Sequence, residues 1–234
     1  MYKQPSTRVV LARHESAEGE IQLQQRLWPD GALAFEIIAN GVFLMASYNQ
    51  TSERALASRT LDALEPELYA DLPVLVGGLG MGFTLQAVLE NEVAAVEVVE
   101  MSAHIIEWNR THFAPLNGHA LANPRVTLIQ DDLYDVHIAL DEGKYAAILL
   151  DVDNGPSWLV HEDNARLYTE DALRQWSNAL APGGALAVWS AQREAAFLRA
   201  MTTVFDCSEE IAIEAPVSHG RDAEFFIYCG VKTL

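Results

Sequence analysis

The stretch Val74–Glu100, VLVGGLGMGFTLQAVLENEVAAVEVVE, decides the fold. Val74-Leu75-Val76 is a short apolar run that reads as a buried strand. It breaks into glycines at Gly77, Gly78, Gly80 and Gly82, residues that let a backbone turn sharply and approach a ligand. Leu85, Val88 and Leu89 follow at helical spacing, and the β-branched run Val96–Val99 ends on Glu100. This is a strand, tight loop, helix, strand unit. Its closing acid stands 23 residues after Gly77, where nucleotide-binding sheets place the carboxylate that takes ribose hydroxyls. An NAD fingerprint needs G-x-G-x-x-G; counted from Gly78 and Gly80, its third glycine falls on Phe83. The Gly78-x-Gly80-x-Gly82 spacing suits an S-adenosylmethionine-type loop better. Residues 72–89 form 18 residues without a charge, but four glycines, Thr84 and Gln86 within them argue against a membrane span.

Outward from this unit, alternating patterns continue. Ser102 can cap a helix carrying Ile105, Ile106 and Trp108, ending near Phe113. Val126–Ile129 reads as a strand ending at Asp131-Asp132, and Ala146–Leu150 as a central parallel strand ending at Asp151. Thr169 can cap a helix carrying Leu173, Trp176 and Leu180, stopped by Pro182-Gly183-Gly184. A strand at 185–190, a helix at 194–205 and two closing strands at 211–215 and 225–231 complete an α/β, Rossmann-like, doubly wound sheet of seven strands, one of them antiparallel. Upstream, Thr51 opens a helix with Ser52 as its cap, which Pro66 should kink or end. Residues 1–50 read differently. Three short strands, 21–28, 33–39 and 42–46, are joined by turns at Pro29-Asp30-Gly31 and Asn40-Gly41. The expected domains are therefore an N-terminal antiparallel β domain at 1–50 and an S-adenosylmethionine-binding domain at 51–234.

Thirty-three acids against fifteen Lys and Arg give a net charge of −18, which repels nucleic acid and favours cations. Two cysteines, Cys207 and Cys229, have no CxxC spacing, and no apolar signal core opens the chain. A cytoplasmic protein without membrane or nucleic-acid partners is expected. No HExxH, zinc-type cysteine spacing or G-x-S-x-G occurs, so no metal is expected.

In this reading the glycine loop, Glu100, Asp131-Asp132 and Asp151-Val152-Asp153 all fall at the carboxyl ends of strands, where open sheets bind ligands. Gly77, Gly78, Gly80 and Gly82 would approach the amino-acid and sulfur end of an S-adenosyl nucleoside. Glu100, with Met101 beside it, would take the ribose, Asp132 and Leu133 the adenine, and Asp151 the reacting end. Asp151, Asp153 and Asn154 are the candidate catalytic residues, a carboxylate there holding a cation or taking a proton.

VLVGGLGMGFTLQAVL, VVEM at 98–101, NPRVTLIQDD at 123–132, AAILLDVDNGP at 146–156 and LAPGGALAV at 180–188 together resemble the spermidine synthase family, within the class I S-adenosylmethionine-dependent methyltransferase superfamily. The resemblance implies a small N-terminal β domain, a seven-stranded catalytic domain, a homodimer, and aminopropyl transfer from decarboxylated S-adenosylmethionine to a polyamine. Three departures stand out. The family's loop reads GGGDGG, and its Asp position is Gly80 here. Its D-S-S-D motif has the second Asp, which assists deprotonation of the amine, at Asn154. Its YHE segment has no clean match in Thr51-Ser52-Glu53-Arg54-Ala55. Nucleoside binding looks retained and polyamine binding eroded. Loss of the acid at Gly80 favours a donor that keeps its α-carboxylate. The expected function is therefore a small-molecule methyltransferase using S-adenosylmethionine. An aminopropyltransferase acting on a cationic amine is the alternative, and a non-catalytic nucleoside-binding protein the second.

Overall fold

The computed structural model describes residues 7–16, 19–28, 31–217 and 221–233. The chain divides into two compact units, Met1–Gln50 with Pro216–Arg221, and Thr51–Ala215 with Asp222–Leu234.

In the first unit, β1 (Thr7–Ser16), β2 (Gly19–Leu27), β3 (Leu33–Ala39) and β4 (Val42–Ala46) form an antiparallel sheet in chain order. The three expected strands are present. β1 is an addition, because Val9, Val10 and Leu11 are all exposed and show no in-out alternation. Asn40 and Gly41 take φ of 50° and 77°, the left-handed pair a two-residue hairpin needs. The turn expected at Pro29-Asp30-Gly31 lies partly outside the described residues. Glu36 is buried in this sheet, yet its charge is met by Arg8 Nε at 2.9 Å and Arg26 Nη1 at 3.0 Å.

The second unit is a seven-stranded sheet flanked by helices. Its helices are α1 (Thr51–Asp62), α2 (Pro66–Asp71), α3 (Phe83–Leu89), α4 (Ala103–Arg110), α5 (Leu133–Ile138), α6 (Glu170–Ala179) and α7 (Ala195–Met201). Its strands are β5 (Val74–Gly77), β6 (Val96–Val99), β7 (Val126–Ile129), β8 (Tyr145–Leu150), β9 (Leu180–Ser190), β10 (Cys207–Val217) and β11 (Arg221–Val231). The order is β10-β11-β9-β8-β5-β6-β7, with β5 to β9 parallel and β11 antiparallel to β9. The switch from β5–β6 to β8 makes the crevice at the carboxyl ends of β5 and β8 the place for a ligand. β8 is buried along its whole length, as a strand covered on both faces must be.

Ser102 and Thr169 cap α4 and α6, accepting from Ile105 N at 3.3 Å and Ala172 N at 3.2 Å. Ser52 does not cap α1. The helix already begins at Thr51, and the Ser52 hydroxyl donates to Glu53 Oε2 at 2.8 Å. Pro66 neither kinks nor ends α1; it stands in the first turn of α2, where no amide is required. α5, short and weakly periodic, fills a stretch that reads as a connection, and α2 is a separate short helix where the sequence offers a continuation of α1 past Pro66.

His137 on α5 is buried against α6. Its Nε2 is 3.2 Å from the Ala172 carbonyl oxygen, its ring centre 3.9 Å from that of Trp176, and its Nδ1 has no partner. Burial lowers its pKa from 6.5, opposed by the Ala172 bond. A His held below its unfolded value contributes stability that is complete above about 6.5 and is lost as pH falls further. Wild type should therefore lose more melting temperature than His137→Phe between pH 7 and 5. Parallel thermal melts of the two proteins would refute this.

Among the described residues no helix is long and apolar enough to cross a membrane, and no group of three His, Cys, Asp or Glu could hold a metal ion.

Candidate active site

The carboxyl ends of β8, β5, β6 and β7 are drawn into one edge by backbone bonds. Asp151 N donates to Gly77 O at 2.8 Å, Gly78 N to Val99 O at 2.9 Å, and Glu100 N to Ile129 O at 3.1 Å. Glu100, Asp132 and Asp151 thus stand at the ends of neighbouring parallel strands, as the sequence reading requires.

The glycine loop leaves β5 with positive φ at Gly78 (87°), Gly80 (50°) and Gly82 (81°). Gly78 is needed for a second reason: a Cβ there would lie 2.2 Å from the Asp151 carbonyl oxygen. A Cβ on Gly77 would lie 2.6 Å from Leu133 Cδ2, so Gly77 and Leu133 meet across the crevice. Two asparagines absent from the sequence reading hold the loop from outside. Asn109 Nδ2 donates to Gly80 O at 2.8 Å, and Asn117 Nδ2 to Met81 O at 3.0 Å and Asn109 Oδ1 at 2.8 Å. Asn109 was legible in part, as a polar residue four after Ile105 on the buried face of α4.

Glu100 accepts from Leu79 N at 3.0 Å and Ser102 N at 2.8 Å. Burial raises its pKa, while amides of Ser102, Leu79, Gly80 and Met101 pull it back. The carboxylate is aimed by the loop it follows, and its remaining lone pairs suit a pair of hydroxyls. Met101 itself is partly exposed. Asp132 caps α5, accepting from Tyr134 N at 2.8 Å, and its other oxygen accepts from Arg166 at 3.2 Å. The Arg166 guanidinium lies 4.0 Å over the Tyr134 ring. The glycine loop, the Glu100 carboxylate and the capping Asp132 thus stand in the order that the strand ends dictate.

At the reacting end the structure adds a residue. Thr84, in the first turn of α3, donates to Asp151 Oδ2 at 2.7 Å and lies 3.2 Å from the Glu53 backbone oxygen. Glu53, in the first turn of α1, is buried beside Asp151. Burial, then the Asp151 charge, push the Glu53 carboxyl up to about 8. Burial pushes Asp151 up to about 6, against the Thr84 bond. Near neutrality the pair therefore carries about one negative charge, in a place where a second would be costly. Glu53 is the acid of the segment that showed no clean YHE match.

Asp153 and Asn154, two and three residues after Asp151, are buried. Asp153 is engaged by Val160, Asn164 and Tyr168, and the Asn154 carbonyl accepts from Ala191 N at 2.9 Å. The even spacing of Asp151 and Asp153 does not give them a shared set of partners, because the chain leaves extended geometry after Leu150.

No family profile matches the chain. It is similar to a polyamine aminopropyltransferase of Shewanella oneidensis, 32% identical over 130 residues, covering 50% of this chain and 22% of the relative. A polyamine aminopropyltransferase of Synechococcus sp. is 28% identical over 162 residues, covering 63% of this chain and 48% of the relative. The chain thus spans less than half the length of these curated relatives. Among solved structures, Thermotoga maritima spermidine synthase superposes with a TM-score of 0.72 at 15% identity, covering 95% of this chain and 72% of that one. A spermidine synthase in complex with the transition-state analogue AdoDATO gives 0.73 at 16% identity, covering 95% and 73%. In fold the chain is a spermidine synthase-like, class I methyltransferase-type protein, and over about half its length its sequence is similar to polyamine aminopropyltransferases.

Proposed function

We propose that this chain transfers an aminopropyl group from decarboxylated S-adenosylmethionine to an amine. The observation that carries the reading is Thr84, which joins Asp151 Oδ2 to the Glu53 backbone beside the glycine loop and so brings the buried Glu53 together with the half-buried Asp151. Methyl transfer rested on the missing acid at Gly80, taken to make room for an α-carboxylate. Asp151, the charged member of the pair near neutrality, and Glu53 beside it keep this end of the crevice acidic, so a donor carboxylate would meet repulsion and an ammonium attraction. The relatives named above point the same way.

Gly77, Gly78, Gly80 and Gly82 form the cradle for the donor, Glu100 holds the ribose, and Asp132 with Leu133 meets the adenine. The bound sulfonium supplies an electrophilic carbon, so this chain needs no covalent nucleophile. Its own residues position the acceptor in line, an effect that can be worth about 7 kcal/mol or more. Asp151 holds the incoming ammonium and takes its proton, with Thr84 fixing the carboxylate and Glu53 adjusting its charge. The boundary after residue 50, a homodimer and a cytoplasmic location belong to the same reading.

The test is methylthioadenosine release from decarboxylated S-adenosylmethionine with a panel of diamines and triamines, beside S-adenosylhomocysteine release from S-adenosylmethionine. Turnover only in the second assay would restore methyl transfer. Nucleoside binding is checked separately by calorimetry. Glu100→Ala should weaken it by about 1–3 kcal/mol, the range for hydrogen bonds to a charged group; an unchanged dissociation constant would remove Glu100 from the site.

A further inference from the structure

The chain between β8 and α6 is held by two buried carboxylates on either side of one exposed aromatic residue. Asp153 Oδ1 accepts from Val160 N at 2.7 Å and Asn164 Nδ2 at 3.0 Å, and Oδ2 from the Tyr168 hydroxyl at 2.9 Å. A carboxylate offers about four acceptor sites, so three of them are used within the loop. Glu194, next to the first turn of α7, accepts on Oε1 from the Ser157 hydroxyl at 2.5 Å, Gln192 Nε2 at 3.2 Å and Ser157 N at 3.3 Å. Gly155, at φ 132°, packs where a Cβ would lie 2.2 Å from Ser190 Oγ, and Trp158 N closes a turn onto Gly155 O at 3.1 Å. The backbone is therefore pinned at 155, 157 and 160, while the Trp158 side chain between them remains 47% exposed.

A large aromatic residue left in water on a loop this firmly held is suited to contact rather than to packing. The loop issues from the end of β8, directly after Asp151. Building on the function proposed above, we propose that Trp158 is the acceptor platform of this site and that Asp153 is a positioning residue that holds it there. The indole face takes an alkylammonium by cation–π attraction and the methylene chain by apolar contact. Asp151 then holds the reacting nitrogen, and Trp158 sets which acceptors fit.

The experiment compares Trp158→Ala, Trp158→Phe, Asp153→Ala and the Trp158→Ala/Asp153→Ala double variant, with 1,4-diaminobutane as acceptor. Trp158→Ala should raise the acceptor KM about tenfold, leave kcat and nucleoside affinity within about twofold, and be largely rescued by Trp158→Phe. Asp153→Ala should raise the same KM and speed proteolysis between residues 155 and 166. In the double variant the KM effects should not add, because Asp153 acts through Trp158. Unchanged KM in Trp158→Ala, or additive effects in the double variant, overturns the proposal while leaving the function intact. If wild type transfers nothing to any amine, the function fails. Calorimetric titration of 1,4-diaminobutane then decides this proposal by itself: weaker binding to Trp158→Ala than to wild type sustains it, and equal heats, or none from either, overturn it.

Discussion

Asp151→Asn should lower turnover on an amine acceptor by about 10²–10⁴-fold, the range for loss of a positioned general base. Nucleoside affinity should stay within about twofold. An amine must lose a proton to attack, and Asp151 is the carboxylate fixed by Thr84 at the end of β8. Asparagine preserves shape and can still accept from Thr84, but takes no proton near neutral pH. Glu53→Gln should act more mildly: near neutrality Glu53 is largely protonated and the acceptor KM should barely move, while above about pH 8, where its charge would face the ammonium, the KM should rise about tenfold. The pair also gives a pH signature. Both carboxyls lie above their unfolded values, Asp151 at about 6 and Glu53 at about 8. Groups raised in this way contribute stability that is complete below their unfolded pKa and is lost as pH rises through the folded one. The ligand-free protein should lose melting temperature between about pH 6 and 8. Diamine affinity should rise over the same window as the pair becomes fully charged, and saturating diamine should flatten the melting profile. Full activity in Asp151→Asn, or diamine affinity that does not depend on pH, would remove the pair from the mechanism.

Gly78→Ala should be the most damaging small substitution in the chain, costing more than about 4 kcal/mol, a size single changes reach only through a definite structural lesion. Two penalties coincide. The φ of 87° is costly for any residue with a Cβ, and the added carbon would lie 2.2 Å from the Asp151 carbonyl oxygen. That obstacle is backbone in the central strand pair and cannot rotate aside. Gly143→Ala is the control: φ is 66° and nothing lies within 4 Å, so about 1 kcal/mol is expected. Denaturant melts compare the two directly. Similar midpoints for both variants would show that the β5–β8 crossing is not the tight point described.

The dinucleotide-like unit at 74–100, the acid-tipped strands and the strand–helix alternation were all legible in the sequence. Their signals are local: an apolar run sets a buried strand, glycines a loop, and in a parallel sheet every strand's last residue comes to the same edge. Ser102 and Thr169 were readable as caps for the same reason, since a cap bonds only two or three residues ahead. Other features depend on partners far along the chain. Ser52 looked like a cap, but its hydroxyl serves Glu53, whose burial is set by α1 packing against α3. Glu53, Thr84 and Asp151 are 31 and 67 residues apart and meet only because β5 and β8 are neighbours. That meeting changed the reading of the missing acid at Gly80. An acid from another element, Glu53, stands beside Asp151 instead. Asp153 looked equivalent to Asp151 by spacing, but its three hydrogen bonds come from residues 7 to 15 positions downstream, in a loop whose path no periodicity announces. Sequence by itself determined the sheet, the edge where its strands end and the acids that stand there, because those follow from local pattern and strand direction. Tertiary structure alone decided which acids stand beside one another and which one is spent on holding a loop, because charge and burial depend on distances in space.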